Sequence, residues 1–551
     1  MCFCIGDCAG KEYHGMMAYV PKSWCCSDLL GALCRAFLLL KILRLLVFLI
    51  NVYSTLLCVI LYALYELIHK RRYLPPGPTP WLIAGNIPDI VLSSSIDDVF
   101  QIWKKRYGSV FTVWIGPIPL VMVSDFMSIK KYFVQNADLF SDRWRNHVTD
   151  SLLGGANGVI QVDGPKWREQ RRFALHVLRN FGVGRPMMEE KIMDEVNAFA
   201  VHLRQHRGVR VSMQNAITVC VGNVISSMLF GIRFPQVIQT KHGARVAQWL
   251  EAPLRRACEM RPWPTKPPIP PGSANWYQIC LGGQQHWLDT SAGHRENFNP
   301  HRILSGPSNV RGVKYLLVAL ITKGKVHIVF HFEHGVFSEW QMKMLLFDLL
   351  FAGMETTATT LKWGFLLVIL NPHVQRRVQQ ELDRECAGDV VNMADRPRLP
   401  YTQATINEIQ RIANIVPINL VRTVSDDVTM DSFHFPKGTL VIPQISILMN
   451  DESIFENCKE FRPERFLDVH GKLRRIDEFL PFSVGKRQCL GESLARAELF
   501  LIFSNLLKQF DFTPASGTTL STSRILGLTV SPPKYECVVE LRKLDRNHNF
   551  V

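Results

Sequence analysis

Between Leu45 and Tyr65 the chain reads LLVFLINVYSTLLCVILYALY, 21 residues without a single charge. As a helix this run spans roughly 30 Å of hydrocarbon. Helix is the one conformation open to it there, because lipid offers no partner for free backbone N–H and C=O groups. Arg35, Lys41 and Arg44 precede the run and Lys70, Arg71 and Arg72 follow it, so flanking charge leaves the orientation open. The run is too long for a cleaved signal peptide and lacks a small-residue cleavage site. It predicts a single anchor at residues 45–66, after a cysteine-rich tail at 1–44. A proline-rich hinge at 67–80 carries LPPGPTP, the start of LPPGPTPWLIAGNIP, and the body occupies 81–551.

With 47% hydrophobic residues, the body has ample material for a large core. A formal charge of +15 points to an acidic partner or an anionic membrane surface. No zinc spacing, RNA-binding strand motif or dense basic block supports nucleic acid, which is excluded as a partner. Six of the 14 cysteines (Cys2, Cys4, Cys8, Cys25, Cys26 and Cys34) crowd the N-terminus in no zinc pattern, leaving lipidation or metal as minor readings. The other eight are scattered singly, as small buried hydrophobes in a reducing compartment are.

Local patterns are mostly helical. DDVFQIWKKRYG sets Phe100, Trp103 and Tyr107 on one helix face ending at Gly108. VFTVWIGPIPLVMVSD predicts two strands around Gly116–Pro117. Ser338 to Leu370 predicts a buried helix about 50 Å long, apolar nearly all round, with Ser338 and Gln341 as a capping box. Its centre, AGMETT from Ala352 to Thr357, is poor helix material. Close helix packing at Gly353 explains this most simply. The alternative is a notch where Ala352 and Gly353 admit a flat ligand, Thr356 supplies a hydroxyl and Glu355 a proton.

NEIQR places Glu408 and Arg411 on one face, and FRPERF adds Arg465 for a buried charge network. WREQR puts Trp167 and Arg171 on one stripe and Arg168 and Arg172 on the next. The pattern fits a basic amphipathic helix, or a helix serving a buried anion and a surface partner at once. In FSVGKRQCLG, Cys489 stands between glycines beside Lys486 and Arg487, where cations and free N–H groups should make the thiol ionise easily. Such a sulfur is either a nucleophile or a metal ligand.

The ordered set WxxxR, AGMETT, ExxR, PERF and FxxGxRxCxG, running over roughly Pro75 to Leu541, resembles the cytochrome P-450 family. The anchor, the hinge and RRFALHVLRNFGVG resemble its animal microsomal family-2 branch. The resemblance implies a mainly α fold with a small β subdomain behind the membrane helix. It implies haem b (iron protoporphyrin IX) with Cys489 as axial thiolate, and Gly485 and Gly491 allowing a tight turn and close backbone approach. Trp167, Arg171, Arg487, Arg422 (in NLVRT) and Arg143 (in FSDRW) would hold the propionates, and Thr356 and Glu355 would relay protons to dioxygen. Glu408, Arg411 and Arg465 would be structural.

The implied activity is a haem-thiolate monooxygenase acting on an apolar fatty acid, steroid or xenobiotic. Electrons would come from NADPH through NADPH–cytochrome P-450 reductase, with cytochrome b5 as a second donor. The anchor would lie in the endoplasmic reticulum membrane with the catalytic domain cytosolic. Two rivals are a haem-thiolate isomerase or dehydratase and a catalytically inactive haem-binding membrane protein. The second rests on residues 243–335, where RPWPTKPPIPPG carries six prolines and no clear helical period runs. The segment resembles translated intron or a mis-joined exon, expected to be loosely packed, with VKYLLVALITKGKVHIVFHF as a strand pair or a buried helix.

Overall fold

The computed structural model describes residues 26–93, 95–145, 150, 155–180, 186–230, 233, 315–322, 325–332, 339–527 and 529–542. The chain divides after Arg72. In the first unit, helix α1 (Cys26–Tyr73) includes a stretch, Arg35–Tyr62, long and apolar enough to cross a membrane. Phe37, Phe48, Tyr53 and Tyr62 stand exposed along it, as side chains meant for lipid do. The helix runs through the Lys70–Arg72 triplet, and the proline-rich stretch begins at Leu74, where a residue before proline disfavours helix.

The second unit is mainly helical. Helix α2 (Ile96–Tyr107) starts where the Ser95 side chain accepts from the Asp98 N–H, buries Phe100 and Trp103, and ends at Gly108. Strands β1 (Val110–Ile115) and β2 (Ile118–Val123) form the expected hairpin, with Gly116 at φ +58° in the turn. There follow β3 (Asp142–Arg143), α3 (Gly164–Asn180), α4 (Pro186–Gln205), β4 (Arg210–Ser212) and α5 (Met213–Phe230). Strands β5 (Tyr315–Thr322) and β6 (Lys325–Phe332) pair antiparallel, so the apolar stretch there is a strand pair. The rest of the expectation for 243–335 lies outside the described residues, as do Ser338 and most of the N-terminal cysteines.

The long apolar run is one unbroken helix, α6 (Glu339–Leu370). After it come α7 (Pro372–Glu385), α8 (Pro400–Ala413), β7 (Arg422–Thr423), β8 (Leu440–Pro443), α9 (Glu492–Gln509), β9 (Phe510–Pro514) and β10 (Glu536–Leu541). A five-stranded sheet has the order β1-β2-β8-β7-β3, with β8 parallel to β2, and a smaller sheet has the order β9-β10-β4.

Leu361, Phe365, Leu366, Val368 and Ile369 of α6 are at most 2% exposed, and the Phe365 ring lies 5.0 Å from Phe512. Each such side chain contributes about 2 kcal/mol by leaving water. Gly353 sits where α6 meets α5. A Cβ there would stand 2.7 Å from Ile225 Cδ1, so this glycine allows close helix packing, which leaves the roles of Thr356 and Glu355 open.

The expected charge network is present. Glu408 accepts from Arg411 Nε at 2.7 Å and Nη2 at 2.8 Å, and from Arg465 Nε at 2.9 Å. Spare guanidinium donors reach the carbonyls of Met449 and Glu456, so the buried ions are paired and satisfied. This ties α8 to the 456–466 segment that leads to the cysteine loop.

Candidate active site

Gly485 fixes the cysteine loop. Its φ is +72°, and an added Cβ would lie 1.9 Å from the Phe133 carbonyl oxygen, so only glycine fits. Gly491 differs, because at φ −91° any residue is allowed and a Cβ would meet open space. The Cys489 N–H donates to Phe482 O at 2.9 Å, which sets the sulfur at the mouth of α9.

The thiol departs from the sequence expectation. Its pKa is raised, by burial first, while the Gly491 N–H and Arg171 act to lower it and Glu492 adds to the rise. The two cations next to it in sequence point elsewhere: Lys486 pairs with Asp138, and Arg487 turns back into the fold. Yet Cys489 is exposed. A sulfur both accessible and desolvated faces a hollow among protein atoms, not open solvent. A metal ion bound there would deprotonate the thiol outright.

Arg487 stacks its guanidinium 3.8 Å from the centre of the buried Trp167 ring and donates to Ser141 O at 2.7 Å and Val162 O at 2.6 Å. Arg143 donates to Ile160 O at 3.0 Å and Leu420 O at 3.1 Å. Arg422 reaches Ser483 Oγ at 3.1 Å and Val484 O at 3.0 Å, while its buried Nη1 has no partner. Arg171 donates to Gln488 O at 2.7 Å, beside the cysteine. Burial lowers Arg487 to about 8, Arg422 to about 9 and Arg143 to about 10, and neighbouring arginines push each the same way. Among the described residues none of these four guanidinium groups forms an ion pair with a carboxylate.

Six predicted residues are thus brought together: Cys489, Arg171, Trp167, Arg487, Arg143 and Arg422. Glu355 and Thr356 lie on α6. Thr356 Oγ1 donates to Ala352 O at 2.7 Å, and Glu355 Oε1 accepts from Thr359 at 3.1 Å and Thr529 at 2.8 Å. Asp348, also on α6, escaped sequence reasoning. Its carboxylate accepts from the N–H groups of Val159 at 2.6 Å and Ile160 at 2.9 Å. The loop whose carbonyls hold Arg143 and Arg487 is therefore clasped from its other side by the central helix. A lone acid in the apolar run LLFDLLF was the available signal.

The remaining described cysteines of the body, Cys220, Cys386, Cys458 and Cys537, are buried thiols whose pKa burial raises, as inert packing residues show. No other cluster fit for a metal occurs among the described residues.

A helical body with small sheets, a loop presenting one cysteine at a helix start and a cluster of buried arginines around it is the arrangement of a haem-thiolate protein. The sequence model of the Cytochrome P450 family matches residues 75–539, and the chain belongs to that family. Cytochrome P450 2D9 of Mus musculus is 34% identical over 89% of this chain and 97% of its own length. Cytochrome P450 2K1 of Oncorhynchus mykiss is 34% identical over 84% and 91%, respectively. Cytochrome P450 2D1 of Rattus norvegicus is 34% identical over 88% and 96%.

The chain is therefore a monooxygenase, an oxidoreductase whose cofactor is haem b, and its apolar N-terminal helix agrees with an endoplasmic reticulum membrane enzyme. The residues fit that cofactor. Four clustered guanidinium groups and the orphaned Arg422 Nη1 suit a group that carries two carboxylates, and the open space at Gly491 leaves room near the sulfur.

Proposed function

We propose that Cys489 is the axial ligand of haem iron and that Arg143, Arg171, Arg422 and Arg487, with Trp167, hold its propionates. The observation that carries this reading is the convergence of four guanidinium groups, none in a direct ion pair with a carboxylate among the described residues, around the cysteine loop. Haem held by these residues would supply the activation of dioxygen for transfer of one oxygen atom to the substrate. The Gly491 N–H and Arg171 spread the negative charge of the sulfur, and Gly485 holds the loop that presents it.

Thr356 and Glu355 hold and move protons. Because the Thr356 hydroxyl donates to Ala352 O, its free lone pairs are set to accept, and passing a proton onward breaks that back-bond. The substrate is an apolar small molecule of the fatty acid, steroid or xenobiotic class. Electrons come from NADPH through a flavoprotein reductase, with cytochrome b5 as a second donor, and the catalytic body faces the cytosol. Arg168 and Arg172 are exposed on α3 beside the Trp167–Arg171 stripe, where an acidic reductase surface would dock.

The haem-loaded protein, reconstituted with reductase in lipid, should consume NADPH and dioxygen and release an oxygenated product from a panel of apolar compounds. Conversion without oxygen uptake would point to an isomerase or dehydratase, and absence of any conversion to an inactive protein.

A further inference from the structure

Thr529 lies outside every motif that marks the family resemblance, yet its hydroxyl bonds to the proposed proton donor. Its hydroxyl and that of Thr359 both donate to Glu355 Oε1, at 2.8 and 3.1 Å, in buried surroundings. Thr359 is one turn further along α6 and moves with Glu355. Thr529 belongs to a different segment, the 524–531 turn before β10.

That turn is fixed at both sides of Thr529. The Val530 N–H donates to Ile415 O at 2.8 Å, and Val530 O accepts from Trp363 Nε1 at 2.9 Å. Ile525 and Ser531 bridge across the turn, and Arg524 Nη1 donates to Ile412 O and Nη2 to Asn414 O, both at 3.0 Å. A hydroxyl on a turn held in this way keeps its acceptor in place, and one net hydrogen bond biases a conformer ratio by roughly fivefold.

We propose that Thr529 is a positioning residue that, with Thr359, latches the Glu355 carboxylate in its buried place, so that protons leave it only when the latch opens. The proposal rests on the reading of Glu355 as the acid, and its test separates the two. Thr529→Val keeps shape and removes the donor, whereas Thr529→Ser keeps the donor.

The first readout is the carbon monoxide stretch of the reduced haem-loaded protein, which senses polar groups near the bound gas whether or not turnover occurs. Thr529→Val should shift or broaden this band, Thr529→Ser should restore it, and in a Glu355→Leu background, which removes the acceptor, the same change should have little effect. An unchanged band in Thr529→Val overturns the latch, and so does an equal shift in the Glu355→Leu background. The second readout is the fraction of NADPH electrons lost as peroxide. It should rise severalfold in Thr529→Val and in Glu355→Gln alike. A Glu355→Gln variant with normal coupling removes the acid role while the band still decides the latch.

Discussion

Arg143 and Arg422 stand directly opposite each other across the β3–β7 pair, two buried guanidinium groups in a register that brings like charges together. Cross-strand like charges are destabilising in themselves. Their place in the fold makes sense when an anion binds between them and offsets the cost of burying them.

Arg422→Met should therefore separate folding from haem retention. The haem-free protein should be as stable as wild type or more so, by up to about 2 kcal/mol, because an uncompensated buried charge is gone. Haem transfer to apomyoglobin should be faster by roughly tenfold, the value of one charge-assisted hydrogen bond of about 1.5 kcal/mol. Equal loss of stability in both forms would mean that Arg422 serves the fold alone.

Glu498 supplies a pH-dependent prediction. It is 1% exposed on α9, and burial raises its pKa to about 8 from an ordinary 4.5, with a Thr357 hydrogen bond opposing. A raised folded pKa means a stabilising contribution fully present below 4.5 that is lost as pH rises through about 8. Glu498→Gln should flatten that decline in chemical denaturation between pH 5 and 9 (the range ordinary buffers cover) while leaving the acid end unchanged. A variant with the same slope as wild type would assign the decline to other groups.

Gly485→Ala should prevent assembly of the cysteine loop. The αL backbone costs a non-glycine residue about 1–2 kcal/mol, and the overlap with Phe133 O adds to it. Gly491→Ala has no such strain, so any effect should appear in haem binding alone. Haem content and denaturation midpoints of the two variants check the contrast.

Much of this arrangement was legible beforehand because it is local or motif-borne. The β1–β2 hairpin, the Ser338–Leu370 helix and the Glu408–Arg411–Arg465 network each rest on spacing that sequence displays directly. What escaped depends on where side chains point. Proximity in sequence set Lys486 and Arg487 beside Cys489, but the fold sends one to Asp138 and the other under Trp167, so desolvation governs the thiol. Close packing was the simpler sequence reading of Gly353, but that Ile225 is what it packs against could not be read from the sequence. Asp348 and Thr529 act across 189 and 174 positions, and no period or motif encodes such a pairing.

Arg168 and Arg172 should matter for electron delivery and not for folding. Arg168 makes only a long, exposed contact of 3.4 Å to Asp138, which Lys486 already neutralises, so both cations remain open to a partner. Exchanging both for glutamate should lower reductase-supported turnover, and added salt should mimic this in wild type. An equal loss in a peroxide-driven reaction would count against docking.

The account depends most on Cys489 as the thiolate ligand, and the carbon monoxide difference spectrum of the reduced protein tests that directly. Wild type should give the band characteristic of a thiolate-ligated haem, and Cys489→Ala should lose it while retaining part of the haem through the arginine set. A Cys489→Ala protein that kept the thiolate-type band would contradict the assignment.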